Sequence, residues 1–222
     1  MRALRDNKTE AVARLIKREI NRNVKDLLVV GCGTGVEAAI LAECLGADVT
    51  GIDIADNFHP QAADKANLQI GDATALVFED ASFDFVYSYH SLEHMNDPAL
   101  ALQEIKRVLT SDGSYWIGTP NRHRLLGYLG SKDATIGEKI KWNLIDLKAR
   151  LQGKFRNEFG AHAGFSENEL CSMLQGVFSE TKCVTNIYFH EIYGRYSKIL
   201  AFLETARLSK IAYPSVYFMG KK

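Results

Sequence analysis

Three glycines alternate at Gly31, Gly33 and Gly35 in the stretch LLVVGCGTGVE, directly after the apolar run Leu27 to Val30. Glycine reaches φ > 0 without steric cost and lets bare backbone approach a bound molecule, so this spacing can cradle a ligand. Asp53 stands 18 residues beyond Gly35 at the end of another apolar run, where a carboxylate can accept both hydroxyls of a ribose lying across the turn. Asp72, in Gly71-Asp72-Ala73, can accept from an adenine amino group while Ala73 offers its N–H to the ring edge. Histidine is the side chain suited to moving a proton near neutral pH, and four histidines stand at promising places. His90 and His94 follow a further apolar run, and His123 and His162 bracket a long connection.

Each signal has a plainer reading. The glycine triplet alone is a tight strand-to-helix connection with no ligand, and Asp72 alone is a turn residue. Asp53 alone also fits a nicotinamide cofactor. The dinucleotide fingerprint G-x-G-x-x-G, however, wants a small residue where this chain has Val36. A phosphate-cradling P-loop is excluded because no Gly-Lys-Ser/Thr follows the turn.

The elements that must position these residues follow from the apolar periodicity. Val12, Leu15, Ile16 and Ile20 form one stripe of a helix over residues 8 to 21. Leu27 to Val30 lack polar alternation and predict a strand covered on both faces, with the helix after the glycine turn carrying Val36, Ala39, Ile40, Ala42 and Leu45. Further strands are predicted at residues 47–54, 68–70, 83–88 and 114–118, with Ser111-Asp112-Gly113 as a turn before the last of these. Asp97-Pro98 opens a helix through Leu109, by side-chain cap and proline at the first helical position. Later come a helix over 136–151, a capping box at Ser166 and Glu169, a strand-like stretch 182–189, a helix over 196–208 and a last strand over 215–219. Strands alternating with helices predict an open, mostly parallel α/β sheet, with its ligand at the carboxyl ends of the strands.

Composition narrows the function classes. The chain has 222 residues, 46% of them hydrophobic, which suits one domain with insertions. Its 27 basic and 27 acidic residues cancel, so no global field recruits nucleic acid or membrane. No signal-peptide core and no run of about 18 apolar residues is present, and a cytoplasmic protein is expected. Cys32, Cys44, Cys171 and Cys183 form no C-x-x-C pair. Neither a metal site nor a Cys/Ser-His nucleophile stands out, and Glu93 reads equally well as a solvated carboxylate.

The residues VVGCGTG (29–35), GIDI (51–54), GDATAL (71–76), FDFVYSYHSLEH (83–94), LQEIKRVL (102–109) and SDGSYWIGTPN (111–121) together resemble the class I S-adenosylmethionine-dependent methyltransferases. The likeness is greatest to the type 11 group, which includes ubiquinone- and menaquinone-biosynthesis enzymes, and GFSENEL (164–170) echoes a later segment of some members. The resemblance implies a Rossmann-like, doubly wound sheet flanked by helices, and S-adenosyl-L-methionine as cofactor. It sets Gly31, Gly33 and Gly35 against the methionyl part, Asp53 on the ribose, Ile54 on the adenine face, Asp72 and Ala73 on the adenine edge, and Tyr89 beside the sulfonium. His94 resembles a family histidine, and His90, His94 and His162 are the candidate bases. Two departures stand out. Val29 occupies a position that is usually acidic in the family, and the interval from Asp53 to Asp72, with His59, Pro60 and Gln61, is short.

One domain over residues 1–222 is expected, with substrate-side insertions at 121–165 and 190–210. Between Asn121 and Arg156 nine basic residues (Arg122, Arg124, Lys132, Lys139, Lys141, Lys148, Arg150, Lys154, Arg156) face three acids (Asp133, Glu138, Asp146). A solvated helix face accounts for such a run. A lid over an apolar or anionic acceptor such as a quinone, lipid or sugar also accounts for it, with Trp142, Leu144, Ile145, Leu147 and Leu151 as the cover and a peripheral membrane contact as a further use. The partners expected are a small-molecule acceptor and no DNA. An RNA methyltransferase, a nicotinamide-dependent oxidoreductase and an inactive cofactor binder are the alternatives.

Overall fold

The structure, a computed structural model, describes residues 4–20, 22–128, 134–159 and 162–222, so Lys132 and Asp133 of the basic insertion lie outside the described residues. The first half alternates regularly: α1 (Asn7–Glu19), β1 (Asp26–Val30), α2 (Val36–Leu45), β2 (Asp48–Asp53), α3 (Pro60–Ala63), β3 (Asn67–Ile70), β4 (Phe83–Tyr89), α4 (Pro98–Val108) and β5 (Leu109–Pro120). The second half holds α5 (Ile136–Leu151), α6 (Glu167–Gln175), β6 (Glu180–Cys183), α7 (Thr185–Tyr193), α8 (Ser197–Thr205), α9 (Ser209–Ala212) and β7 (Ser215–Lys221).

These strands form one seven-stranded sheet in the order β3-β2-β1-β4-β5-β7-β6. The first five run parallel, and β7 enters antiparallel between β5 and β6. The order reverses between β1 and β4, the crevice where open α/β sheets take ligands. Strand β1 shows why the sequence builds this sheet. Leu27 and Val29 pack into the layer on one face, Leu28 and Val30 into the layer on the other, so a continuous apolar run is required.

Predicted caps are found where the sequence put them. Asp97 Oδ1 accepts from the Leu100 N–H at 3.0 Å, and Ser166 and Glu169 form a reciprocal capping box. Two segments differ from the sequence reading. Strand β5 already begins at Leu109, which pairs with Phe83, and Ser114 pairs with Phe85, so the predicted turn over residues 111–113 is a bulge within the strand. The predicted strand over 182–189 ends at Cys183, and α7 takes over at Thr185. Its residues Ile187, Tyr188 and Phe189 have strand propensity, but Tyr188 and Phe189 pack on Tyr217 and Tyr213 at 3.9 and 4.0 Å between ring centroids. That packing decides the outcome.

Candidate functional site at the carboxyl ends of the strands

The glycine turn leaves β1 with all three glycines at positive φ: 72° at Gly31, 53° at Gly33 and 77° at Gly35. A Cβ at Gly31 would strike the Ser91 side chain and one at Gly35 would strike Leu68, whereas the space beside Gly33 is open. Asp53 locks the turn to the end of β2, Oδ2 accepting the Gly33 N–H at 2.8 Å and Oδ1 the Ala55 N–H at 3.1 Å. The His59-Pro60-Gln61 segment caps the one-turn helix α3, with the His59 N–H donating to the Thr34 carbonyl at 2.8 Å. The shortened interval is thus pinned to the glycine turn.

Gly31, Gly33, Asp53, Ile54, Asp72, Ala73 and His94 line a single cleft of about 370 Å³. Ile54 is 78% exposed there, an apolar side chain at a strand end with no protein cover. Asp72 Oδ1 accepts from the Thr74 N–H at 2.8 Å and hydroxyl at 2.7 Å, and these bonds hold its carboxyl below the usual range. Its other oxygen remains for a ligand. Ser91, Met95 and Asn96 complete the wall. No spacing in the sequence marks these three, because their presence depends on the 3₁₀ turn Leu92–His94 swinging the chain back over the cleft.

A second cavity of about 580 Å³ adjoins the first. Six tyrosines (Tyr89, Tyr128, Tyr188, Tyr193, Tyr213, Tyr217) and Phe189 line it, with Lys8, Arg124, His162 and Ser215 among its polar groups. Tyr89 lies on this wall and not in the cleft, stacked on Tyr217 and on His90 at 6.0 and 4.3 Å. His90 borders both spaces. It adopts φ 53°, a conformation that costs a non-glycine residue energy and is found mostly where function constrains the backbone. Its N–H donates to the Gly118 carbonyl at 2.7 Å and its Nε2 lies 3.0 Å from Ser215 Oγ. Burial, with nearby Lys8 and Arg124, lowers its pKa to about 3, so the ring is neutral at physiological pH.

His94 and His162 meet edge to face at 4.7 Å, His94 from the cleft side and His162 from the larger cavity. Glu93 is buried, contrary to the solvated reading: it is 4% exposed and its Oε2 has no hydrogen-bond partner among the described residues. That burial raises its pKa to about 7, and His94 Nε2 stands 3.8 Å from its Oε1. One ligand atom from each of Glu93, His94 and His162 falls within 4.8 Å of the others. His123 lines neither cavity and sits on a small pocket that shares Tyr213 with the larger one.

The insertion contributes fewer acceptor-side residues than its apolar content predicts. Arg124, Tyr128 and His162 reach the larger cavity, but Leu144, Ile145, Leu147 and Leu151 are exposed and line neither space. Trp142 packs on Tyr128 at 5.1 Å. The lid expected from these residues is therefore not closed over the cavity.

A family model described as a methyltransferase domain matches residues 28–117. The matched segment covers less than half of the chain, and it coincides with the parallel part of the doubly wound, Rossmann-like sheet. Among curated proteins, the chain is 36% identical over 111 residues to an O-methyltransferase of Aspergillus sclerotiorum, covering 46% of this chain and 42% of that one. It is 39% identical over 93 residues to a 2-methyl-6-phytyl-1,4-hydroquinone methyltransferase of Synechocystis, covering 39% of this chain and 29% of the relative. The matches thus span less than half of those relatives' length. Among solved structures, an S-adenosylmethionine-dependent methyltransferase from Methanococcus maripaludis superposes with a TM-score of 0.61 at 17% identity, covering 99% of this chain and 87% of that one.

The cradle fits S-adenosylmethionine. The turn offers open backbone at Gly33, Asp53 keeps a free lone pair on each oxygen, and Ile54 presents a bare apolar face at the right strand end.

Proposed function

We propose that this chain transfers a methyl group from S-adenosylmethionine to a hydroxyl of an apolar, ring-bearing small molecule. The observation that carries the reading is the wall shared by the two spaces: His90 borders both the cleft that fits the cofactor and an aromatic cavity of about 580 Å³. A cavity of that size accommodates a drug-sized molecule, and six tyrosines suit a flat ring with an apolar tail. The relatives that act as O-methyltransferase and hydroquinone methyltransferase support the same acceptor class.

When bound, the cofactor supplies a methyl group on a sulfonium, whose departure needs no acid. The protein therefore has to align the acceptor and accept its proton, and alignment alone is worth roughly 7–11 kcal/mol. Asp53 holds the ribose, Ile54 packs on the adenine, Asp72 and Ala73 read its edge, and the glycine turn lies against the methionyl part. His90, neutral and fixed by Ser215, orients the acceptor hydroxyl. His94, backed by Glu93 and beside His162, receives the proton. Burial and the neighbouring His162 both lower the His94 pKa, which keeps it in its proton-accepting form at neutral pH.

The test is calorimetric titration with S-adenosylmethionine, S-adenosylhomocysteine and a nicotinamide dinucleotide, followed by mass-spectrometric assay against a panel of hydroquinones, phenols and sugars. Binding of both sulfur ligands with methylation of ring hydroxyls supports the reading. Dinucleotide binding without adenosylhomocysteine binding would overturn it, and methylation confined to sugars would overturn the acceptor class.

A further inference from the structure

Helix α5 turns its apolar side away from the protein. Over sixteen residues it buries only Asp146, and its inward contacts are polar or aromatic: Asp146 to Arg124, Asn143 to Gly127, Trp142 to Tyr128. On the other side Ile136, Ile140, Leu144, Leu147 and Leu151 are between 52 and 81% exposed. At 3.6 residues per turn these five fall within an arc of about 80°. A helix on the surface of a globular protein points that stripe inward. Here it faces outward, and Leu125 and Leu126 are exposed in the loop that Arg124 ties to the same helix.

One edge of the stripe is basic: Lys141 and Lys148 border it and are exposed, whereas Arg150 at the other edge turns to the protein, donating to the Arg124 carbonyl at 2.9 Å and lying over the Phe155 ring at 3.9 Å. The two acids of the helix are engaged elsewhere, Glu138 in the capping box with Thr135 and Asp146 with Arg124. An apolar stripe edged by exposed lysines is the pattern of a helix lying in a lipid interface. A second copy of the chain fits less well, since pairing two such faces sets one basic rim against another.

We infer that the outward face of α5 docks on an anionic lipid bilayer, its five apolar side chains entering the acyl boundary and its lysines meeting the lipid phosphates. No helix among the described residues is long and apolar enough to cross a membrane, so the contact is peripheral. The insertion that carries α5 also supplies Arg124, Tyr128 and His162 to the larger cavity. Docking therefore sets that cavity beside the surface from which an apolar molecule would arrive. The docking does not depend on the reaction proposed above.

The test is flotation of the full chain with vesicles of phosphatidylcholine alone and of phosphatidylcholine mixed equally with phosphatidylglycerol. Binding is expected only to the anionic vesicles, weakening as salt rises. The double variant Leu144→Glu/Leu147→Glu should reduce binding roughly tenfold or more, and Lys141→Glu/Lys148→Glu should remove its salt dependence. Adenosylhomocysteine affinity, measured in parallel, should stay unchanged in both and serves as the control for folding. Absence of wild-type binding to the anionic vesicles, or equal binding by the Leu144→Glu/Leu147→Glu protein, overturns the inference. Sedimentation showing a wild-type dimer that the same variant dissociates, with no vesicle binding, assigns the face to a second copy instead.

Discussion

Asp53 divides one carboxylate between two tasks. It secures the glycine turn through the Gly33 N–H, and in the proposed function it also holds a ribose. Replacing it with alanine removes charged hydrogen bonds of about 1.5–3 kcal/mol, which should appear as weaker adenosylhomocysteine binding in calorimetry. Asp53→Asn keeps an acceptor for the turn and should lose less. Equal affinity for wild type and a folded Asp53→Ala protein would mean that the ribose is held elsewhere. The histidines separate by environment in the same way. His90 is too weak a base to keep a proton near pH 7, whereas His94 is half exposed and stands over a carboxyl that titrates at about 7. His94→Gln should therefore lower turnover by roughly 10²–10⁴, the usual contribution of a positioned base, and leave adenosylhomocysteine affinity near wild type. A fall in affinity matching the fall in turnover would give His94 to cofactor binding instead.

At the scale of elements, Arg124 is the bolt between α5 and the sheet. Its guanidinium is 4% exposed and donates to the carbonyls of Asn121, His162 and Ala163 and to Asp146. Removing one partner of a buried pair costs about 3–5 kcal/mol, because the other charge is left without compensation. Arg124→Ala should thus undock α5, seen as faster hydrogen exchange over 136–151 with the strands β1 and β4 still protected; uniform loss of protection would make the insertion part of the main core. The regular half of the fold was legible because each element there carries its own local signal. Leu27 to Val30 must lie between two layers, Asp97-Pro98 must cap, and Gly31 must turn. Helix α7 was misread because Ile187, Tyr188 and Phe189 favour strands in isolation, and only contact with Tyr213 and Tyr217, far along the chain, makes them helical. The glycines and aspartates that meet in the cleft were readable for the same local reason. The aromatic cavity was not, since its tyrosines come from β4, the insertion, α7, the link from α9 to β7, and β7, and share no spacing. The outward stripe of α5 has the right period, but periodicity cannot say which side of a helix meets the protein.

For the molecule as a whole, groups with opposite shifts titrate in one pH window. Glu93, and Glu37 near Tyr87, have carboxyls raised to about 7 by burial, so their contribution to stability is complete below the unfolded value near 4.5 and is lost as pH rises through 7. His90 acts in the other direction: its pKa is depressed from 6.5 to about 3, so its contribution is present above 6.5 and is lost as pH falls through that interval. Across pH 4.5 to 6.5 the two carboxyls bind more protons in the folded state than in the unfolded one, and His90 binds fewer. The slopes oppose, and the wild-type melting temperature should vary less over this interval than any one group demands. Single variants expose the terms. Glu93→Gln should gain stability relative to wild type as pH rises from 4.5 to 7, because it no longer ionises inside the protein. His90→Gln should gain relative to wild type as pH falls from 6.5 toward 3, because no neutral ring has to be kept from protonating. Differential scanning calorimetry of the three proteins at matched ionic strength measures both differences. A Glu93→Gln difference that is flat between pH 4.5 and 7 would show that water or a cation reaches the Glu93 carboxylate in solution.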